Sequence, residues 1–418
     1  MTIYTIIFLG IISLTVLLAN KKNAILSIFF SILFLGQDTN FDLLGYNLMP
    51  SRIITFVVAF RCLIRREYLE LYYNTIDKIF ICLILYTGFV LGFRENNYVS
   101  GLALIFDSLT FYIAFKSIIS KNVELEVLIK DFTVILTIFT IVVTVEYALR
   151  YNLFKLLNGV DYLWLRGDKV RCWGSFRHPV LLGSVGATFL PLYIGFIVKD
   201  GYKTKWLVGA FASFLIVYYS SSSTPLIAFA FGILAWPIWF IRRSRRTIYS
   251  VLITIFIVLV IIMEAPIWFI LGKISKITGG TGYHRSYLID SALRDINKWW
   301  FMGIDIKETA GWMPYVLEIT GGVDITNLYI WYGVTAGIIP ILLLVYLLGK
   351  ILNTCFVLSI NSGYERSYKI TIWSLGVVIF VHSLNWFSIT YFDQFNQIWL
   401  AHLAFVNIVI QKKSINNL

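Results

Sequence analysis

The chain has 418 residues, of which 58% are hydrophobic, 17% aromatic and only 14% charged. That leaves too little polar side chain to cover a soluble protein of this length, and far too much apolar side chain for disorder. The net charge of +12 is spread over short gaps between apolar runs, a membrane-topology pattern rather than a nucleic-acid footprint.

A spanning helix takes roughly 20 mainly apolar residues. Runs of this kind lie near 2–19, 24–36, 50–63, 76–93, 100–116, 127–148, 179–198, 205–219, 223–241, 248–270, 326–349, 368–388 and 394–410. They predict an all-α, polytopic membrane helix bundle of about 12–13 spans. Residues 1–418 form one integral membrane domain in this reading. The first run has no basic stretch before it and no small-residue cleavage site after it, so it reads as a span and not a removed signal peptide.

Charge alternates between successive gaps. One set holds Lys21 and Lys22, then Arg61, Arg65 and Arg66, then Lys116, Lys121 and Lys130. It continues with Lys199, Lys203 and Lys205, the arginines between Arg242 and Arg246, then Lys350, Arg366 and Lys369, and last Lys412 and Lys413. The other set is free of Lys and Arg at 37–49, 220–223 and 388–396, and its one basic residue, Arg94, is followed by Glu95. The first set belongs in the cytoplasm and the second outside. By parity the two long connections, 150–178 and 271–325, also lie outside, yet both carry several Lys and Arg. Long loops translocate largely regardless of charge. The alternative is that they hold an anionic ligand at the membrane surface.

Walker A, GxSxG and HExxH signatures are absent, as is an internal repeat. Cys62, Cys82, Cys172 and Cys355 form no CxxC pair and no Cys/His cluster with metal-ligand spacing. No metal and no cofactor are expected.

The first long connection ends in Val170-Arg171-Cys172-Trp173-Gly174-Ser175-Phe176-Arg177-His178-Pro179. Pro suits a first helical turn. Arg177 and His178 then fall at a positive helix N-terminus, where phosphate binds well; a basic anchor for lipid headgroups is the competing reading. In the second connection, Leu288, Ala292, Leu293, Ile296, Trp299 and Trp300 recur at helical spacing. They predict an amphipathic helix on the outer face, opened near Arg285 and ended near Gly303. The connection closes on Asp324-Ile325-Thr326-Asn327, polar residues that open the next run, with Gly337 ten positions after Asn327. Asp107, Glu146 and His382 lie in or near predicted spans, where ionisable groups are paired or functional.

The order of these motifs resembles the O-antigen polymerase and O-antigen ligase superfamily (Wzy-type and WaaL-type). Its Arg-x-x-Gly segment leading into Pro and a span is matched by Arg171, Gly174 and Pro179. Its loop arginine opening a helix with a Gly-bearing end is matched by Arg285 and Phe301-Met302-Gly303-Ile304. Its His-Asn-x9-Gly segment is matched by Thr326, Asn327 and Gly337, with Thr in place of His. The resemblance covers about residues 165–345. In ligase-like members that His assists the acceptor hydroxyl; Thr326 cannot act as a base at neutral pH, which leaves His284, His178, Asp324 and Glu318 as alternatives, or a reaction that needs no strong base.

What the resemblance implies is a glycosyltransferase of the bacterial inner membrane with both long loops in the periplasm. It would move a glycan from undecaprenyl diphosphate to a sugar hydroxyl, with inversion and without metal or nucleotide. Arg171, Arg177 and Arg285 are the candidate clamp on the diphosphate, since arginine stays charged and binds phosphate oxygens in a fork. Arg294, His178, Thr326 and Asn327 are further candidate substrate contacts. The leading expectation is a polymerase of lipid-linked repeat units for O-antigen or exopolysaccharide. A ligase to lipid A core follows, and a flippase or other transporter is a third, less favoured class. Expected partners are the lipid-linked glycan and membrane lipid, with a chain-length regulator as a further candidate and no nucleic acid.

Overall fold

A computed structural model describes residues 2–38, 41–43, 46–95, 98–119, 124–160, 162–278, 282–313 and 321–415. Each of the thirteen apolar runs carries helix. Among the described residues, eight helices are long and apolar enough to cross a membrane: Thr75–Arg94, Tyr98–Ile119, Leu125–Leu149, Pro179–Asp200, Ser223–Ile241, Arg245–Ile262, Ile338–Ile360 and Arg366–Asn385. Four more, Ile3–Leu18, Lys21–Phe34, Pro50–Ile64 and Thr204–Ser220, have 16, 14, 15 and 17 residues. Asp393–Ile415 closes the chain with 23. The fold is that of a multi-pass, all-α membrane helix bundle. Strand among the described residues is confined to two small antiparallel pairs, Phe41–Leu43 with Tyr46–Leu48 and Leu165–Arg166 with Lys169–Val170.

Local sequence sets the helix starts. Pro50 and Pro179 occupy first helical turns, where the missing N–H is no loss. Asn20 caps Lys21–Phe34, and Asn74 with Asp77 forms a capping box on Thr75–Arg94. Pro179–Asp200 is the most buried span and packs against Thr204–Ser220, Ser223–Ile241 and Arg366–Asn385. At the opposite extreme, Arg245–Ile262 stands at the edge with Ile253, Phe256 and Ile261 exposed, as a lipid-facing helix can, since acyl chains are as apolar as its side chains.

Two ion pairs lie within the bundle, where a low dielectric favours pairing. Lys116 Nζ contacts both Asp77 carboxylate oxygens at 2.7 Å, and Tyr112 and Asn407 donate to the same Asp77 oxygen at 2.7 Å. This knot ties three helices at the end opposite the long connections. Asp107 sits on a π-helical turn, Phe106–Thr110, and pairs with Arg52 at 2.8 Å.

The run 326–349, expected as one span, is two helices. Leu328–Ala336 stops at Gly337, and the spanning helix is Ile338–Ile360. Gly337 has φ +82°, a conformation that side chains with a Cβ rarely adopt. The carbonyls ending the first piece are satisfied from outside it. Arg94 donates to Val334 and Thr335 at 2.7 and 2.9 Å, and the Ile304 N–H donates to Val334 at 2.8 Å.

Candidate anion site between the two long connections

The Leu165–Arg166 and Lys169–Val170 pair carries Arg166 and Arg171 to the serine turn that joins Thr204–Ser220 to Ser223–Ile241. Arg166 donates to the Ser221 carbonyl at 3.2 Å, and Arg171 Nη2 to Ser222 Oγ at 3.0 Å. Ser221 Oγ returns a bond to the Val170 carbonyl at 3.2 Å, and the Cys172 N–H donates to the Tyr219 carbonyl at 3.0 Å. The second long connection then brings Arg285 to the same place, on the first turn of the Gly282–Arg294 helix.

Arg171 is 8% exposed and Arg285 9%. Burial first, and then the neighbouring guanidiniums, push both down to about 10. Burial also lowers Arg166. All three remain cations at neutral pH. Among the described residues no carboxylate pairs with any of them, Arg285 makes no hydrogen bond, and the Arg171 Nε–H is buried without an acceptor. Like charges gathered out of water and left unpaired are costly; an anion bound among them removes that cost.

The segment bearing Arg171 is held from below by Glu146. This carboxylate is fully buried and accepts the Trp173 and Gly174 N–H groups at 3.0 Å each. Gly174 has φ +61°, and its carbonyl accepts from Asn152 at 2.8 Å. Ser175 is fixed on both sides, donating through Oγ to the Leu33 carbonyl at 2.6 Å and accepting at its own carbonyl from Gln394 at 3.0 Å.

Beside Arg285 lies a mainly apolar cavity of about 220 Å³. Ile227 and Phe231 of the Ser223–Ile241 helix, Ile270 and Leu384 form its walls, with Ser223 and Thr224 as polar lining. Guanidiniums next to an apolar cavity in a membrane protein suit a molecule with an anionic head and a hydrocarbon tail.

The sequence-predicted residues divide. Arg171, Arg285 and His178 come together with Arg166. His178 is the N-cap of Pro179–Asp200, its Nδ1 accepting the Val180 N–H at 3.1 Å. Burial and then the three arginines push it down to about 4, so it is a neutral cap and adds no charge. His284 lies beside Asp324; burial lowers the imidazole and Asp324 opposes the shift. That leaves His284 neutral near pH 7 and able to accept a proton.

Arg177 turns away, pairing with Asp38 at 3.1 Å and Asp393 at 3.3 Å and donating to the Gln37 carbonyl at 2.6 Å. Arg294 is 67% exposed and paired with Asp290 at 3.0 Å. Asn327 caps the Leu328–Ala336 helix through two backbone N–H groups and donates to the Phe387 carbonyl at 3.3 Å, so its side chain is committed to structure. The Thr326 hydroxyl is buried without a partner among the described residues. Glu318 lies outside the described residues.

Sequence reading passed over Arg166 and the anchoring role of the serine turn. Both carried a signal: an outer-loop cation, and four consecutive serines between two apolar runs. No group of three His, Cys, Asp or Glu side chains able to hold a metal ion occurs among the described residues. The sequence matches no protein-family model and no curated protein.

Proposed function

We propose that this protein is a glycosyltransferase that extends lipid-diphosphate-linked oligosaccharide repeat units at the periplasmic face of the bacterial inner membrane. The observation that carries the reading is the group of three carboxylate-free guanidiniums, Arg166, Arg171 and Arg285, beside an apolar cavity. The resemblance in motif order to the O-antigen polymerase and ligase superfamily, with Thr326 in place of its His, supports the same substrate class.

The chemistry follows from those groups. Transfer breaks the bond between the anomeric carbon and the diphosphate oxygen, and negative charge grows on that oxygen. Arg171 and Arg285 stabilise it in place, without reorganising water. The anomeric carbon passes through an oxocarbenium-like state and the acceptor hydroxyl attacks from the opposite face. Its proton goes to His284, which Asp324 orients.

The test is reconstitution in lipid nanodiscs with a lipid-diphosphate-linked oligosaccharide, followed by mass spectrometry. Longer lipid-linked glycan, released lipid diphosphate and their loss in Arg285→Gln are expected. Transfer to a lipid A core with no lipid-linked extension would make the protein a ligase. Movement of the glycan across the bilayer with no new glycosidic bond would make it a transporter.

A further inference from the structure

The Ser223–Ile241 helix starts at the serine turn that holds Arg171 and ends 19 residues later at a second group of arginines, roughly 28 Å away along the helix axis. Arg242 follows that helix, Arg243 comes next, Arg245 opens Arg245–Ile262, and Arg366 opens Arg366–Asn385. One turn of Ile338–Ile360 gathers two of them. Arg242 Nε donates to the Ser359 carbonyl at 3.2 Å, and the Arg245 guanidinium lies over the Phe356 ring, 5.0 Å from its centre. Arg242 also lies flat on Trp239, 3.4 Å from the ring centre. Burial, and then the charges of Arg243 and Arg366, lower Arg242, which sets those two guanidiniums beside it. We propose that this cluster binds the phosphate of an anionic phospholipid headgroup.

The first support is missing counter-charge. In other basic gaps the cations meet carboxylates: Lys21 pairs with Glu70, Lys22 with Asp131, Arg61 with Glu67, and Lys199 and Lys205 with Glu126. Residues 242–247 contain no acid, and 350–369 contain only Glu365. Asp200, which ends the helix packed on Ser223–Ile241, is taken by Lys203 and Trp206. Among the described residues no carboxylate pairs with Arg242, Arg243, Arg245 or Arg366. Arginine forks onto phosphate oxygens, so a phosphate suits what the chain leaves open.

The second support is where the cations stand. Arg245, Arg246 and Arg366 occupy first helical turns that hold no acidic residue, and no side chain caps either helix. A helix N-terminus is already positive and disfavours a cation. An anion beside these arginines relieves their mutual repulsion and the repulsion from the helix ends together.

The third support is hydrocarbon surface next to the charge. Phe240, Ile241 and Val357 are exposed beside the cluster, and Arg245–Ile262 continues from it with Val251 and Ile255 exposed. A soluble phosphate makes no use of that surface, whereas acyl chains lie along it. Basic groups at the ends of spanning helices take anionic lipid heads in this way. Nothing here rests on the transferase reading.

Native mass spectrometry of the full chain in detergent micelles tests this. The probes are phosphatidylglycerol, phosphatidylethanolamine with the same acyl chains, and glycerol 3-phosphate. Phosphatidylglycerol should bind saturably and more tightly than phosphatidylethanolamine. Arg243→Gln with Arg366→Gln should weaken it at least about tenfold. Both side chains are exposed, and an unchanged Tm in phosphatidylethanolamine reports correct folding. Lys21→Gln with Lys22→Gln removes the same charge from paired positions and should leave the affinity within about threefold. An equal loss in that control would show charge attraction without a site and overturn the proposal. No preference for phosphatidylglycerol would overturn it in favour of an acidic protein segment. Glycerol 3-phosphate bound as tightly as the lipid would overturn it in favour of a soluble phosphate. Preference lost in Arg285→Gln but kept in the double arginine variant would overturn it by moving the lipid to the other arginine site.

Discussion

At the scale of single residues, the arginines of the two long connections are separated by more than a hundred positions and meet around one space. Arg171→Lys keeps the charge but loses the fork, and Lys cannot reproduce bidentate geometry. Transfer by Arg171→Lys and by Arg285→Gln should fall by about 10²–10³, the usual cost of one fixed donor at a developing oxyanion; rates within a few-fold of wild type would remove the clamp. Glu146→Gln is the companion test below the site. The amide offers one acceptor oxygen where two backbone N–H groups need acceptors. Stability should drop by about 1–3 kcal/mol, read as a lower Tm, with transfer slowed as the Arg171 segment loosens. His284 makes a claim about pH. Its imidazole is held below the ordinary histidine value of about 6.5, and a base works in its unprotonated form. The acid limb of the rate profile should therefore have its midpoint below about 6.5. A midpoint above that value would exclude His284 as the base.

At the scale of elements, the break at Gly337 separates the Leu328–Ala336 helix from the span that follows. A Cβ there would collide with the Phe301 carbonyl while the backbone is held at φ +82°. Gly337→Ala should cost at least about 1–2 kcal/mol, measured as a fall in Tm. An unchanged Tm would show that the break is soft. Hydrophobic periodicity read 326–349 as one run because both pieces are apolar and period cannot register a single left-handed residue. In the second long connection helix occupies Gly282–Arg294 and Ile296–Trp299. Of the residues whose spacing predicted an amphipathic helix, Leu288, Ala292 and Trp299 are buried in one apolar cluster with Val323 and Ile330, whereas Leu293 and Trp300 are exposed.

At the scale of the whole molecule, the alternation of basic and neutral gaps makes a topological claim. On that claim Tyr202, 83% exposed in a basic gap, would lie in the cytoplasm and exposed Asp168 in the first long connection on the other side. Tyr202→Cys and Asp168→Cys should label with a membrane-impermeant maleimide from opposite faces. Labelling of both from one face would overturn the assigned topology and with it the periplasmic site. Composition and hydrophobic run length alone determined that the chain is a helical membrane bundle, because a bilayer admits only segments that satisfy their own backbone hydrogen bonds. The resemblance in motif order put Arg171, Arg285 and His178 forward as candidate site residues, together with Arg177 and Arg294. Only the tertiary structure decided that Arg166 joins the first three while Arg177 and Arg294 are spent on Asp38, Asp393 and Asp290. The reason is physical: run length and capping are properties of neighbours in the chain, whereas the partner of a charge is chosen by which helix ends are brought together.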